Sequence, residues 1–305
     1  MQDPKPVLSI IILSYNTRRV TKDCLNSIFE SLKNSKISYE IIVIDNASND
    51  GSQQMLNQLK SKRVAQDVLK LIFNKQNLGF ARGNNQAVKT AQGEYLLFLN
   101  SDIVVLSNAI ENLLKFHKQN EYRIDFLGGK LLNKNFTTQP SCGPFYSLPI
   151  IFAALFLRGD YWGLTRYSPD KTKEVDWVSG ACILTKKEHF KKISGFDEDI
   201  FMYMDEIDLL YRAKQKGKRV FFYPKSRFLH LGFASSGGKS YPVIQVYKGL
   251  LYFYRKHHNK KRSLFLLKFM LKLKALIAIL LGKLSNNRYL ISTYEQAYKL
   301  TSLDR

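Results

Sequence analysis

The chain reads as an α/β protein with a mostly parallel sheet wound with helices, followed by a helical, basic C-terminal region. Three observations predict this. Short apolar runs rich in branched residues alternate with helical periodicity through the first half, the pattern of strands buried between helix layers. Each run ends in a polar cluster. Beyond Pro242 the pattern becomes helical, and residues 252–305 carry 12 basic against 2 acidic side chains.

Strands are expected at Val7–Ser14, Tyr39–Asp45, Val68–Phe73 and Tyr95–Leu99, where the branched and aromatic residues concentrate. Between the first two, Val20, Cys24, Leu25, Ile28, Phe29 and Leu32 fall on one helical face. A second helix follows Asp50-Gly51, with Asn49 or Asp50 available to cap it, and a third runs from near Ala81 to Gly93. Residues 133–175 break the alternation with Pro140, Gly143, Pro144, Pro149, Gly159, Gly163 and Pro169, which reads as an irregular functional loop or lid. Order resumes at Trp177, with a helix over Asp205–Gln215 and a strand at Arg219–Tyr223. The expected division is a catalytic domain over residues 1–240 and an amphipathic helical region over 241–305.

At 305 residues and 45% apolar content the chain can bury a sizeable core. Its three cysteines, Cys24, Cys142 and Cys182, show neither metal nor disulfide spacing, so packing roles in a reducing, cytoplasmic compartment are expected. The first apolar run, Val7–Leu13, is too short for a secretory signal. The longest others, Leu148–Leu157 and Ala275–Leu281, fall short of the roughly 20 residues of a membrane-spanning helix. The net charge of +22 is uneven, with residues 1–110 at +4 and residues 252–305 at +10. This points to an anionic partner near the C-terminus, either nucleic acid or a membrane surface. No recognition helix and no interleaving of basic and aromatic residues supports nucleic acid. A dinucleotide-binding dehydrogenase is disfavoured because the first strand runs into SYNT rather than a GxGxxG turn.

The polar clusters SYNT, DNASNDGS, NKQNLGFARGNN and NSD should meet beyond the carboxyl ends of the parallel strands, where ligands bind in such sheets. Asp102 can bind a divalent cation there, or serve as a turn or helix-cap residue. Asp45 can accept a hydrogen bond from a pyrimidine imide, whereas Asn49 to Gly51 suit a loop and cap. Arg82, just before a helix, can meet a base or phosphate, or remain a solvated side chain. Asp205 and Glu206 open a helix, so they can complement its dipole or place a general base in the crevice. Asp208 lies on another side of that turn and could brace a loop or a basic residue. His230 can complete a metal or phosphate site or be structural. Ser235, Ser236, Gly237 and Gly238 behind it could form a mobile flap. If Ser263–Gly282 is helical, Lys268, Lys272 and Lys283 fall within about 60° beside a broad apolar face, suited to a membrane surface, to the catalytic domain or to a second subunit.

Seven motifs in order, SYNT, DNASNDGS, NLGFARGNN, LNSD, VDWVSGACILTKKEHF, GFDEDIFMYMDEIDL and HLGFASSG, resemble the family 2 inverting glycosyltransferases, in particular the bacterial rhamnosyltransferase-like branch. The similarity runs from Val7 to Ser236. It implies a GT-A fold, a nucleoside-diphosphate sugar donor, dTDP- or UDP-linked with dTDP-L-rhamnose foremost, and Mg²⁺ or Mn²⁺. Transfer to a lipid-linked or glycan acceptor in cell-surface polysaccharide synthesis, on the inner face of the membrane, follows from the same likeness. Tyr15 and Asp45 match base-contacting positions, Arg82 a donor-site cation and Asp102 the metal-binding aspartate. Ser14, Asn16, Asn100 and Ser101 complete the donor side. The family's DxD-type signature is reduced here to NSD, with Asn100 in place of its first acid. Relatives often read Glu-Asp with the second acid as base, so Glu206 takes that position, with Asp205 the fallback. Trp177, Gly180 and Asp208 fall on the acceptor side, and His230 joins Asp102 as a metal candidate.

Overall fold

The structure, a computed structural model, describes residues 5–62, 64–232, 240–258 and 261–302. The expected flap at Ser235, Ser236, Gly237 and Gly238 lies outside them. Four parallel strands form the first half of the sheet: β1 (Leu8–Ser14), β2 (Tyr39–Asp45), β3 (Leu69–Phe73) and β4 (Tyr95–Asn100). They are joined by α1 (Arg18–Leu32), α2 (Ser52–Lys60) and α3 (Gly79–Thr90). β1, β2 and β4 are buried along nearly their whole length, as strands covered on both faces must be. Leu8, Ile10 and Ile12 of β1 pack with Cys24, Leu25 and Ile28 of α1, while α3 covers the other face. A Cβ at Gly83 of α3 would lie 2.4 Å from Leu13 Cδ1, so the helix approaches β1 closely because no side chain intervenes. The same side of β4 is filled by Phe98, which meets Phe190 and Phe196 at ring separations of 5.0 and 5.2 Å.

Beyond β4 follow a short strand β5 (Ile103–Val105), helix α4 (Ala109–Gln119) and strand β6 (Phe126–Leu132). After them come two-residue strands β7 (Thr138–Gln139) and β8 (Cys142–Gly143), and helix α5 (Leu148–Phe156). α5 corrects the expectation of an irregular lid over 133–175. Pro149 stands in its first turn, where a missing N–H costs nothing and the fixed φ favours a helix. The chain then forms β9 (Lys173–Val175), β10 (Trp177–Val178), β11 (Cys182–Lys186), α6 (Lys187–Lys192), α7 (Asp205–Gln215) and β12 (Val220–His230). β12 runs past the expected end at Tyr223 because Pro224 falls where the register shifts, between Tyr223 and Arg227, a place where a ladder tolerates a missing donor.

The sheet order is β3-β2-β1-β4-β11-β6-β12-β5. β11 is antiparallel to both β4 and β6, so the sheet is mixed. β1 lies between β2 and β4, and the chain order reverses there. Registers pair Ser14 with Asp45 and Leu13 with Asn100, so three polar strand ends stand side by side at the switch point where such sheets bind ligands.

The chain divides into two compact units. The first comprises residues 1–143, 167–201 and 205–235, and the second residues 144–166, 202–204 and 236–305. The second unit is discontinuous, taking in α5 and its flanks together with the chain after residue 235. It is completed by α8 (Ser240–His257), α9 (Lys261–Leu284) and α10 (Arg288–Ser302). α9 packs on α10, α8 and α5, and Tyr254 Oη donates to the Tyr146 carbonyl at 2.9 Å.

Candidate active site

The loops after β1 and β2 are stitched together. Asn16, in the left-handed region at φ 52°, donates its amide to Ser48 Oγ at 2.8 Å, and its side-chain oxygen accepts the Asn49 amide at 2.9 Å. Ser14 is buried against Thr17 and Thr21, its hydroxyl 3.1 Å from each of theirs. Thr17 in turn meets Ser101 at 3.2 Å, tying the β1 loop to the β4 loop. Tyr15 is half-buried. Burial alone would raise the Asp50 carboxyl, but hydrogen bonds from Ser52 and from the Arg18 amide outweigh it and hold Asp50 below its ordinary value.

Asp45 is fully buried at the end of β2. Its Oδ1 accepts the Ser48 amide and Gln53 Nε2, both at 2.9 Å. Oδ2, equally buried, has no hydrogen-bond partner among the described residues. An acceptor oriented by two bonds and left open on its second oxygen is suited to a ligand N–H, because a buried unpaired group is costly until it is met.

Asp102 is buried at the end of the β4 loop, with Oδ1 3.4 Å from His230 Nε2. His230 Nδ1 lies 2.8 Å from Gln139 Oε1. Since an amide oxygen only accepts, His230 donates to it from Nδ1, and Nε2 is the nitrogen turned toward Asp102. Asn100 Nδ2 approaches that nitrogen at 3.4 Å. An imidazole nitrogen and a carboxylate oxygen therefore face each other, an arrangement that a cation or shared proton between them stabilises. Among the described residues no cluster of three His, Cys, Asp or Glu side chains could hold a metal.

Asp205 and Glu206 open α7 beside this group. Burial first, then the neighbouring Glu206 carboxyl, pushes the Asp205 pKa well above its ordinary 3.8, as expected where two carboxyls share one site. Asp205 is 4% exposed and Glu206 half-buried. A Cβ at Gly180 would lie 3.6 Å from Glu206 Cβ, and the adjoining Ala181 carbonyl accepts the Asn100 amide at 3.2 Å. Glu206 thus stands one strand from the β4 end that carries Asn100, Ser101 and Asp102.

Two further candidate residues have partners within the protein. Asp208 is fully buried and pairs with Arg212 Nε at 2.7 Å, and Arg212 donates to the Ile193 and Gly195 carbonyls. Asp208 thereby braces a basic residue and the turn it holds, a role its place in the sequence allowed. Arg82 is exposed in the first turn of α3 and donates to the Glu198 carbonyl at 3.0 Å. Trp177 is buried in β10, which pairs with β8, next to the segment that carries Gly180. Sequence reading missed Gln53 and Gln139, which orient Asp45 and His230. Gln53 follows DNASNDGS directly, whereas Gln139 has no local signal. Cys24, Cys142 and Cys182 are all buried and free. Burial pushes the thiols of Cys142 and Cys182 up to about 12 and that of Cys24 higher, which suits packing roles.

The profile described as Glycosyl transferase family 2 matches residues 9–193, more than half of the chain. Rhamnosyltransferase WbbL of Escherichia coli (strain K12) is 26% identical over 229 residues, 72% of this chain and 82% of that protein. The N-acetylglucosaminyl-diphospho-decaprenol L-rhamnosyltransferase of Mycobacterium tuberculosis (strain ATCC 25618 / H37Rv) is 26% identical over 65% of this chain and 68% of its own length. Among solved structures, mannosyltransferase PcManGT from Pyrobaculum calidifontis, in complex with GDP-Man and Mn2+, superposes with a TM-score of 0.59 at 16% identity, covering 98% of this chain and 86% of that one. The fold is the GT-A type that the motifs implied. With its strand-end residues arranged in that fold and its profile matched from β1 through α6, the chain belongs to the family 2 glycosyl transferases.

Proposed function

We propose that the chain transfers a sugar, with L-rhamnose from dTDP-rhamnose foremost, from a nucleoside diphosphate to a hydroxyl of a lipid-linked acceptor, inverting the anomeric carbon. The observation that carries this reading is the adjacency of Glu206, through Gly180 and Ala181, to the strand end bearing Asp102. A proton acceptor and a diphosphate-binding carboxylate then serve one reaction centre. Asp45 receives the imide N–H of uracil or thymine on its open oxygen. β2 and β4 are two strand spacings apart, on the order of 10 Å, a separation in keeping with a base at one end and a diphosphate at the other.

One carboxylate and one imidazole leave most of a coordination sphere to phosphate oxygens and water, the manner in which Mg²⁺ and similar ions bind nucleotides. Asp102 and His230 would hold such an ion, which when bound neutralises charge on the leaving diphosphate. Asp205, whose carboxyl is held above its ordinary value by burial and by Glu206, shares a hydrogen bond with Glu206. Glu206, the more exposed partner, takes the acceptor proton as the oxygen attacks. The names of the decaprenol-linked relative and of WbbL support the lipid-linked acceptor and the sugar, with the enzyme peripheral on the inner membrane face.

A panel of UDP-, dTDP- and GDP-sugars is screened for protection against thermal unfolding with Mg²⁺ or Mn²⁺ present. The expected result is stabilisation by dTDP-rhamnose above all others. Protection by none of the panel overturns the donor reading, and protection by another sugar reassigns it.

A further inference from the structure

We infer that the exposed face of α9 is a membrane-docking surface that lies in the plane of an anionic phospholipid leaflet. The inference rests on the peripheral location proposed above and deepens it by naming the surface. α9 is solidly packed on one side only: Leu267, Leu271, Ala275, Ala278 and Gly282 are buried. Gly282 lets Ile291 and Leu290 of α10 approach, since a Cβ there would lie 2.9 Å from Ile291 Cγ1. On the far side Phe265, Phe269, Leu273, Leu276, Leu280 and Leu284 are exposed, from 39% at Leu273 to 78% at Leu284. At 3.6 residues per turn these six fall within about 100° and run for about 28 Å. A continuous apolar stripe of that length on a soluble surface marks an interface.

Charge selects the occupant. α9 holds six basic and no acidic side chains. Lys268, Lys272 and Lys283 line one edge of the stripe, and Lys274 falls beyond the other, the arrangement of a helix with apolar residues among acyl chains and cations at the headgroups. A second copy of the chain brought face to face on α9 would set these like-charged rows against each other. No described helix is long and apolar enough to cross a membrane, and a helix with lysines on both margins of its apolar face suits the interface rather than a transverse path. Exposed Phe152, Leu157, Tyr161 and Trp162 in and after α5, which packs on α9, add aromatic groups of the kind found at headgroup level.

The test uses the full chain and sedimentation with vesicles of phosphatidylcholine alone or of equal parts phosphatidylcholine and phosphatidylglycerol. Wild type is expected to sediment with the anionic vesicles and far less with the neutral ones, and added salt should weaken binding. The double substitution Phe269→Glu/Leu276→Glu should lower partitioning at least about tenfold on anionic vesicles. Lys268→Gln/Lys283→Gln should lower it on anionic vesicles while leaving the weak neutral binding unchanged. Circular dichroism and UDP or dTDP binding, which α9 does not serve, should match wild type in both variants. Loss of vesicle binding with nucleotide binding intact therefore reads on this surface, and nucleotide binding absent from every form reads on the transferase proposal. The inference is overturned if wild type binds neither vesicle, or if Phe269→Glu/Leu276→Glu binds as well as wild type. It is also overturned if that variant changes only a dimer into a monomer.

Discussion

Replacing Asp45 with asparagine changes one buried oxygen into an amide nitrogen without changing its shape. Asp45→Asn can keep its oxygen where Oδ1 now accepts Ser48 N and Gln53 Nε2, which turns the NH₂ group into the position of Oδ2. That position has no partner among the described residues, so an unmet acceptor becomes an unmet donor and stability should move by less than about 1 kcal/mol. The ligand meets a reversed polarity. An imide N–H that faced a carboxylate now faces another N–H, and the lost charge-assisted bond is worth about 1.5–3 kcal/mol, or about 10- to 150-fold in affinity. Cytosine, which presents an acceptor nitrogen where uracil and thymine present N–H, should lose nothing and can gain. Titration calorimetry with UDP, dTDP and CDP in Mg²⁺ measures all three, with thermal unfolding as the fold control. Equal losses for CDP and UDP, or unchanged affinity for UDP and dTDP, would refute the assignment of the open Asp45 oxygen to the base.

The remaining expectations concern chemistry and pH. Glu206→Gln should reduce turnover by about 10²- to 10⁴-fold with donor affinity near wild type, measured by single-turnover transfer. If Asp205→Asn is the inactive variant and Glu206→Gln is not, the base moves by one residue. Asp205→Asn should also stabilise the protein at neutral pH. The raised Asp205 pKa means that its contribution is full below the unfolded value of 3.8 and is lost as pH rises through the folded value, so denaturant midpoints of variant and wild type should converge near pH 3.8. Asp102→Asn should weaken Mn²⁺ and nucleotide binding together, and unchanged metal-dependent donor affinity would remove Asp102 from the site. Burial depresses His117 from 6.5 to about 4, so wild type should lose about 3 kcal/mol as pH falls across that window, and urea midpoints of His117→Gln should lack that loss.

The parallel strands were legible because burial on both faces leaves unbroken branched runs, and the helix over Asp205–Gln215 because acids open it and basic residues close it. β6 escaped because Gly128 and Gly129 dilute FLGGKLL. Those glycines are required by packing that sequence does not display: a Cβ at Gly128 would lie 2.5 Å from Val178 Cβ. α5 escaped because Pro149 was weighed as a breaker when it is an initiator. In the site, the acids declared themselves through clustering, while their orienting partners did not. Gln139 reaches His230 across 91 residues, and Gly180 reaches Glu206 through folding alone. Asp208 and Arg82 show the same limit, since the sequence does not name the partners, Arg212 and Glu198, toward which the fold turns them.

The discontinuous make-up of the second unit bears on synthesis. Once residue 235 has left the ribosome, every segment of the first unit is in hand. α5, made far earlier, must wait for α9, more than a hundred residues downstream, a delay on the order of ten seconds at ordinary translation rates. During that interval a nine-residue helix of sequence LPIIFAALF is tethered to an otherwise complete first unit with its final partner unmade. A nascent chain stalled between α8 and α9 would therefore be the form most apt to be held by a chaperone or to aggregate, and release would come with the last helices.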